Sequence, residues 1–411
     1  MLHAVVGMVV LLGVAWLVSE NRRVIHWRLI VAGVSLQIVI ALLMLKAAPF
    51  RQLFLGLNAM VGALETATRA GTSFVFGYLG GGPLPFVETA PGGSFSLAFQ
   101  ALPMVLVIGA LTALFYYWRI LPKVVQAFSW LLRTTMGIGG ALGVVASGCI
   151  FLGMIEAPLL IRPYLVRMTR SELFAMMATG LSCIAGTMLV LYATVLQKVI
   201  PDALGHILTA SIIHAPAALV VASIIVPETE EQTLGGEISS YDASSAMDAL
   251  TKGTWDGLKI LVNIVALLIV FVALVKLANI GLGELPDIAG APLTLERMLG
   301  LLLAPVVWLI GVPWQEAVTA GSLMGIKIVL NEFLAYIQFS GLPEAALSPK
   351  SRLIMTYAMC SFANLGSLGI LIGGLGTLCP ERRDEIVGLG LKALLAGVLA
   401  SLMTGAVVGM L

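Results

Sequence analysis

Stretches of roughly 20 predominantly apolar residues recur along the whole sequence, separated by short polar segments. An α-helix rises about 1.5 Å per residue, so each stretch is long enough to cross a hydrocarbon core of about 30 Å. The pattern therefore predicts an all-α polytopic membrane protein with about eight transmembrane helices. The predicted spans are residues 2–19, 27–45, 94–118, 171–197, 204–226, 255–278, 353–375 and 386–411.

Two further segments are amphipathic rather than uniformly apolar. Residues 51–70 mix polar and apolar positions, and residues 120–136 carry Lys123 and Arg133 among Leu, Val and Trp. Both segments are predicted to be interfacial helices. The residues that follow the first of them, 71–93, are rich in Gly and Pro, which predicts a loop or a re-entrant stretch.

One apolar segment, residues 137–168, contains an acidic residue beside helix-breaking residues. Glu156 follows Gly153 by three positions and precedes Pro158 by two. Gly and Pro both disfavour a continuous helix, and the halves on either side are too short to cross a bilayer. We predict a re-entrant helical hairpin here, because a broken membrane helix with an ionisable residue is typical of a binding site.

A second interrupted segment lies in the C-terminal half of the chain. Its halves, residues 293–310 and 318–339, are predicted to form another re-entrant hairpin that is joined through residues 311–314. The second half contains Asn331 and Glu332 within an apolar sequence. This segment is therefore the second candidate for a site-forming break.

The two hairpin segments are predicted to belong to an internal repeat. The sequence from Ser171 matches that from Ser351 at several positions, and the same offset pairs Gly186 with Gly366. Each unit is a hairpin with a Glu, followed by two spans, and such repeats are typical of secondary transporters. We predict inverted topology for the two units.

The chain is predicted to consist of five segments. They are residues 1–136 (scaffold spans and interfacial helices), 137–226 (first transport repeat), 227–254 (acidic linker), 255–292 (scaffold span and connecting segment) and 293–411 (second transport repeat).

Composition agrees with this architecture and argues against several function classes. Hydrophobic residues make up 59% of the 411 positions and charged residues 11%, compared with roughly 25% charged residues in soluble domains. The net charge of +1 gives no indication of a nucleic-acid partner. The four Cys and four His lack the spacing of a disulfide framework or a metal centre, so no cofactor is predicted. HExxH and GxSxG motifs are absent, and no enzyme activity is predicted.

The positions of arginine residues predict the topology. Arg22 and Arg23 lie in the first loop between spans, and Arg382 and Arg383 lie in the last. The positive-inside rule places both loops in the cytoplasm. We therefore predict a multi-pass protein of the inner (cytoplasmic) membrane, in contact with its lipid bilayer, with both termini periplasmic or extracellular.

Four polar side chains are predicted to converge within the membrane. They are Glu156 and Glu332 of the hairpins, together with Asn364 and Ser367 of a following span. A carboxylate accepts hydrogen bonds from hydroxyl groups, and an Asn amide both donates and accepts them. The set predicts a binding site for a small ligand that is rich in hydroxyl and amide-type donors.

Two neighbouring features are open to a structural interpretation. Phe362 fits either helix packing or contact with an aromatic ligand. Lys327 and Glu316 are interpreted as a structural pair at the base of the second hairpin.

Five motifs, in this order, resemble those of the concentrative nucleoside transporter family. They are Gly71-Thr72-Ser73-Phe74-Val75-Phe76-Gly77, Gly153-x-x-Glu156-Ala157-Pro158, Ile310-Gly311-Val312-Pro313-Trp314-x-Glu316-Ala317, Asn331-Glu332-Phe333-x-Ala335-Tyr336 and Phe362-Ala363-Asn364-x-x-Ser367. The resemblance covers nearly the whole chain. It implies nucleoside uptake driven by a cation gradient, and a homotrimer with a scaffold part and a mobile transport part.

The resemblance also implies roles for the candidate site residues. By this resemblance, Glu332, Asn364 and Ser367 bind the ribose of the nucleoside. Glu156 helps to read the base, and Phe362 packs near it.

The first hairpin departs from the family pattern at its tip. The family commonly has Gly-Gln-Thr/Ser-Glu where this chain has Gly153, Met154, Ile155 and Glu156. Two polar contacts to the base are thus replaced by apolar side chains. We expect the site to discriminate less between bases by hydrogen bonding, and these residues stay in the predicted substrate-binding set.

A second departure concerns the coupling ion, which is either H⁺ or Na⁺. Sodium-coupled members of the family use an Asn and a Ser, helped by backbone carbonyls, where this chain has Cys149 and Cys183. Together with Leu152 and Ile184 these residues would form a degenerate sodium site. Because Na⁺ is a hard cation that prefers oxygen ligands, proton coupling through Glu156 or Glu332, or uncoupled transport, is favoured over sodium coupling.

Two other functions stay open at the level of sequence. The same scaffold could carry a different small hydroxylated or nucleobase-like solute, as the apolar Met154 and Ile155 suggest. Alternatively, the protein could be a gating or receptor module that binds nucleosides without net transport.

Overall fold

The computed structural model describes residues 2–87, 94–235, 243–286 and 292–411, and all α-helices named below lie in these ranges. The regular structure of this part of the chain is entirely helical, as predicted. The helices are α1 (Leu2–Leu17), α2 (Trp27–Lys46), α3 (Ala48–Phe76), α4 (Met104–Tyr117), α5 (Ile120–Met136), α6 (Gly140–Gly148), α7 (Glu156–Leu159), α8 (Arg170–Ser182), α9 (Gly186–Leu196), α10 (Ala203–Ile225), α11 (Ala246–Gly283), α12 (Leu295–Leu309), α13 (Trp314–Val329), α14 (Glu332–Ser340), α15 (Pro349–Met359), α16 (Leu365–Leu378) and α17 (Arg383–Met410).

Six helical stretches in the described residues are long and apolar enough to cross a membrane. Each of them overlaps one of the predicted spans. The stretches are Trp27–Lys46, Leu97–Tyr117, Arg170–Leu196, Ala203–Ile225, Ala246–Gly283 and Pro380–Met410. The predicted first span corresponds to α1, which has 16 residues.

Two predicted spans, 171–197 and 353–375, are interrupted rather than continuous. The first is divided into α8 and α9 by residues 183–185, and the second into α15 and α16 by residues 360–364. The prediction of an uninterrupted helix is therefore wrong for the first span, whereas in the second span Gly366 lies beside the break and favours it.

The breaks after α8 and after α15 stabilise each other by direct contact. The backbone N–H of Phe362 donates to the carbonyl of Cys183 over 3.4 Å, so the two breaks pack against each other. The Oδ1 atom of Asn364 then accepts a hydrogen bond of 2.7 Å from the N–H of Ser367 and caps a new helix. Backbone groups that leave the helical ladder are thereby partly satisfied within the protein.

The second hairpin segment is divided near both positions that the sequence marks, the joint at 311–314 and the break at Asn331-Glu332. Residues 310–313 separate α12 from α13 at a bend of 116°. The break that carries Glu332 lies one helix later, at residues 330–331 between α13 and α14. Asn331 begins the new helix because its Oδ1 atom accepts a 2.8 Å hydrogen bond from the N–H of Leu334.

Two further boundaries differ from the prediction. Helix α3 continues to Phe76, into the segment predicted to be a loop, while residues 88–93 of that segment lie outside the described part. Helix α11 begins at Ala246, so the last nine residues of the predicted acidic linker are helical. The Oγ atom of Ser245 caps this helix by accepting from the N–H of Asp248. Residues 236–242 of the linker also lie outside the described part.

The same order of elements occurs twice in the described residues. A helix, a broken hairpin, a broken span and a long helix follow one another as α5 to α10 and again as α12 to α17. The core lies along α10, α8 and α17, whose residues are mostly buried, whereas the apolar window of α11 has no buried residue. The breaks of the two units meet beside this core, and α11 covers them from one side.

Candidate functional site

A cavity of about 220 Å³, named here the site cavity, lies where the helix breaks converge. All eight residues predicted to bind substrate line it: Gly153, Met154, Ile155, Glu156, Glu332, Phe362, Asn364 and Ser367. Helices α9, α14 and α16 begin at the cavity, so the positive ends of their dipoles point toward it. This is the arrangement in which transporters hold polar substrates at broken helices.

Glu332 is the most constrained acidic residue of the site cavity. Its side chain is 4% exposed and accepts two short hydrogen bonds. The hydroxyl of Tyr192 donates to Oε1 over 2.6 Å, and the Nδ2 atom of Asn364 donates to Oε2 over 2.8 Å. Both oxygens thus have fixed partners, which orient the carboxylate at the cavity wall.

Lys327 provides a positive charge beside Glu332. Its side chain is fully buried, and Nζ donates to the carbonyl of Ala363 over 3.1 Å. The charges of Lys327 and Glu332 are close enough to interact. The predicted pair of Lys327 with Glu316 is wrong, because Glu316 instead accepts hydrogen bonds of 3.1 Å from the N–H and hydroxyl of Ser348.

Asn364 connects the site cavity to the start of α16. Its amide nitrogen donates to Glu332 while its oxygen caps the helix, so both ends of the side chain are fixed. Ser367 is buried one turn further along α16 and lines the cavity. Phe362 lines it as well, from the break that precedes α16. The structure thus places Asn364 in contact with Glu332, and Ser367 and Phe362 on the wall of the same cavity.

Glu156 lies at the opposite wall of the site cavity and is exposed to it. A Cβ atom at Gly153 would lie 2.0 Å from the Oε2 atom of Glu156, so only glycine permits the carboxylate to fold back over this turn. Glu156 also lines a second cavity of about 700 Å³, which reaches the charged residues Lys252 and Asp256 near the start of α11. The two cavities share the lining residues Glu156, Thr187 and Ile260, so the second cavity adjoins the site cavity on the side of that end of the bundle.

Met154 and Ile155 fit against glycine residues of the surrounding helices. A Cβ atom at Gly180 of α8 would lie 3.1 Å from the Cβ atom of Met154. A Cβ atom at Gly374 of α16 would lie 2.2 Å from the Cδ1 atom of Ile155. The tip of the first hairpin is therefore held between α8 and α16 by packing, and Met154 and Ile155 contribute apolar surface to the cavity.

The four residues of the predicted degenerate sodium site are all buried: Cys149, Leu152, Cys183 and Ile184. The Sγ atom of Cys183 donates to the carbonyl of Ser211 over 3.7 Å, and the hydroxyl of Ser211 donates to the carbonyl of Ile150 over 3.0 Å. Ser211 of α10 thus joins the first hairpin to the break after α8. Among the described residues there is no cluster of three or more His, Cys, Asp or Glu side chains arranged for a metal ion.

Sequence reasoning missed several residues that line or support the site cavity. Tyr192 was not identified, although a tyrosine in an apolar helix needs a partner for its hydroxyl. Thr187 and Asn263 also line the cavity. Asn263 is an amide within the most apolar part of α11, and a polar residue in such a sequence was the available signal.

Comparison with known proteins identifies the family. A model described as the Na⁺ dependent nucleoside transporter C-terminus matches residues 206–409, its N-terminal counterpart matches residues 6–79, and a nucleoside recognition (gate) model matches residues 98–198. The chain is 36% identical to the nucleoside permease NupC of Helicobacter pylori, with 100% of this chain and 97% of the permease covered. The chain belongs to the concentrative nucleoside transporter family. It is a membrane transporter of this family and not an enzyme.

Mammalian and structural relatives agree with this assignment. The chain is 33% identical to the sodium/nucleoside cotransporter 1 of Rattus norvegicus, over 98% of this chain and 63% of the cotransporter. The structure of CNTnw in an inward-facing substrate-bound state matches with a TM-score of 0.91 and 36% identity, covering 100% of this chain and 97% of that chain. A CNTnw variant in an outward-facing state matches with a TM-score of 0.92.

Proposed function

We propose that this family member accumulates nucleosides in the cell by cation-coupled transport across the cytoplasmic membrane. The observation that supports the proposal best is the oriented Glu332–Asn364 pair on the wall of the site cavity. A carboxylate and an amide at this spacing can accept from, and donate to, the neighbouring hydroxyl groups of a ribose. We place Ser367 beside them as the third ribose contact.

The base is proposed to lie at the opposite wall, formed by the first hairpin. Glu156 provides a hydrogen-bond acceptor there, while Met154 and Ile155 provide apolar surface above Gly153. Phe362 is positioned to contact the flat face of a base. Because this wall has one strong hydrogen-bond acceptor and two apolar side chains, it selects a base by its shape and by stacking more than by a complete set of hydrogen bonds.

Transport is proposed to follow alternating access. The mobile part comprises residues 137–226 and 293–411, and the scaffold comprises residues 1–136 and 255–292, with the linker 227–254 between them. The position of the 700 Å³ cavity, which adjoins the site cavity, supports a path for release at the start of α11. We assign that end to the cytoplasm and both termini to the outside, because the arginine-containing loops lie at the inner end. A homotrimer is proposed from the family resemblance.

The proton is proposed as the coupling ion. The support is the chemistry of the buried thiols of Cys149 and Cys183, which replace two oxygen ligands of sodium-coupled relatives. Glu156 and Glu332 are the carboxylates of the site that can carry the proton.

This proposal is tested by restoring oxygen ligands at the two cysteine positions. The double variant Cys149→Asn, Cys183→Ser is expected to gain sodium-stimulated uptake of labelled uridine in proteoliposomes, whereas the wild type responds to a pH gradient. Cys379→Ser, which changes a cysteine elsewhere in the chain, is the matched control. Sodium-dependent uptake in the wild type, unchanged in the double variant, would contradict proton coupling.

A second candidate function is transport of another small solute by the same site. The apolar Met154 and Ile155 favour it, because they remove polar groups that would select a nucleobase. Competition of labelled uridine uptake by nucleosides, free bases and free ribose separates the candidates. Competition by intact nucleosides alone supports the nucleoside carrier, and stronger competition by a base or by ribose supports the other solute.

A further inference from the structure

The long helix α11 presents one face to the site cavity. The residues of this face recur three or four positions apart, which is the spacing of one side of an α-helix. They are Ile260, Asn263, Ile264, Leu267, Leu268 and Phe271. All of them are apolar except Asn263, so this amide is the polar group that α11 brings to the cavity wall.

The amide of Asn263 is free to bind a ligand. Its side chain is exposed, and it makes no hydrogen bond to any residue in the described part of the chain. The other asparagine of α11, Asn279, is different: its Nδ2 atom donates to Glu296 over 2.9 Å, and its Oδ1 atom accepts from the N–H of Leu295 over 2.8 Å. A polar side chain in an apolar membrane helix is costly unless it faces a cavity or a partner. Asn279 therefore has a structural role, whereas Asn263 faces the cavity with its hydrogen-bonding groups unused.

The position of Asn263 along the site cavity follows from its neighbours on α11. Ile260, like Glu156, lines both the site cavity and the adjoining 700 Å³ cavity. At the other end of the face, the Cζ atom of Phe271 lies 3.5 Å from the place of a Cβ atom at Gly366, in the first turn of α16. Asn263 is about 4.5 Å from Ile260 along the helix axis and about 12 Å from Phe271. It therefore lies toward the Glu156 end of the cavity, where we place the base.

The first hairpin satisfies only part of the hydrogen bonding of a base at this end. An ionised carboxylate accepts hydrogen bonds and donates none, so Glu156 pairs with an N–H group of the base. In uracil, cytosine and adenine, such a group is next to a carbonyl oxygen or ring nitrogen that accepts a hydrogen bond. Met154 and Ile155 offer no side-chain donor to this acceptor, and burying it without a partner is costly. A donor close to Glu156 would complete the pairing.

We propose that the Nδ2 atom of Asn263 donates a hydrogen bond to the acceptor edge of the nucleobase, next to the N–H group that Glu156 binds. This inference rests on the proposed nucleoside transport and adds a contact from a helix outside both transport repeats. It selects for nucleosides whose base has an N–H group beside an acceptor. Thr187, whose residue lines both cavities, is the competing donor. The amide is the better match because it has two N–H groups and an acceptor, so it can pair with bases of different orientation.

The test compares Asn263→Leu with the wild type for two ligands in a binding assay on the purified protein. The ligands are uridine and phenyl riboside, a ribose that carries a benzene ring in place of the base. Both have a ribose and a flat ring, but only uridine has polar groups on the ring. Leucine removes the amide at similar size and suits an apolar membrane helix. We expect the Kd of uridine to rise about 10-fold, as for one lost hydrogen bond, and the Kd of phenyl riboside to stay within about twofold.

Val262→Leu is the matched control, because Val262 is the exposed neighbour of Asn263 and lies off the cavity-lining face. An equal loss of affinity for both ligands in Asn263→Leu would indicate a structural role and overturn the inference. Unchanged uridine affinity in Asn263→Leu would also overturn it, and a uridine-specific loss in Thr187→Val would then assign the donor to Thr187. In both cases the wild type still binds uridine, so the proposed function stands. A wild type that does not bind uridine would overturn the proposed function and the inference together.

Discussion

Replacing Glu332 with glutamine tests the centre of the proposed site. The carboxylate accepts from Tyr192 at 2.6 Å and from Asn364 at 2.8 Å, and it is the charge partner of Lys327. Glutamine preserves the shape but offers one acceptor and one donor, so it loses an acceptor that faces either Tyr192 or Asn364. It also leaves the ammonium of Lys327 buried without a counter-charge.

The magnitude follows from the bonds that change. A hydrogen bond to a charged group contributes about 1.5–3 kcal/mol, compared with about 0.5–1.5 kcal/mol for a neutral one. If two ribose hydroxyls each lose this difference and one buried donor stays unpaired, the binding free energy falls by about 3 kcal/mol. This corresponds to roughly a 100-fold loss of nucleoside affinity.

The assay is uridine binding to the purified protein, followed by uptake in proteoliposomes. Glu316→Gln is the matched control, because Glu316 also accepts two hydrogen bonds but lies at the far end of α13, against Ser348. We expect Glu316→Gln to bind uridine like the wild type. An affinity of Glu332→Gln within about threefold of the wild type would remove Glu332 from the ribose site.

Two further predictions concern packing and pH. Gly374→Ala should slow uptake, because the new methyl group overlaps the side chain of Ile155 at a cost of about 1–3 kcal/mol. Adding Ile155→Ala should restore part of the rate. Equal rates in the wild type, the single variant and the double variant would contradict the packing argument. The side-chain hydrogen bond from Arg170, assisted by Lys392, lowers the pKa of Glu20 to about 2. The ionised Glu20 therefore contributes fully to the free energy of unfolding above the unfolded pKa near 4.3, and this contribution is lost as the pH falls through about 2. Glu20→Gln should therefore lower the free energy of unfolding at pH 7 by about 1 kcal/mol or less, measured as a slightly lower thermal midpoint. The difference from the wild type should shrink in acid, and a constant difference would contradict this assignment.

The polar residues of the site were predictable because the membrane makes them conspicuous. Glu156, Glu332 and Asn364 lie in apolar sequence, where a polar side chain is costly unless it faces a cavity or a partner. The structure brings all three to the site cavity. Their mutual geometry, in contrast, depends on tertiary packing, and no pattern in the sequence indicates the bond from Tyr192 to Glu332.

The helix breaks were predictable only where a local signal exists. Gly153 and Pro158 mark the first hairpin, whereas Cys183-Ile184-Ala185 contains neither glycine nor proline. That break is stabilised by a contact with Phe362, which is distant in sequence.

Lys327 shows a related limit of local patterns. Glu316, 11 positions earlier in the same helix, is the partner that the sequence alone predicts. In the fold, the side chain of Lys327 instead points to the carbonyl of Ala363. Its charged neighbour Glu332 begins the next helix, α14, so an argument restricted to α13 does not find it.

The central claim is most directly tested by uptake of labelled uridine and adenosine into vesicles that contain the purified protein. A sodium gradient and a proton gradient are imposed separately, with equal membrane potential in both. We predict accumulation above the external nucleoside concentration with the proton gradient alone. Absence of accumulation with either gradient, despite measurable nucleoside binding, would contradict the assignment of this protein as a concentrative nucleoside carrier.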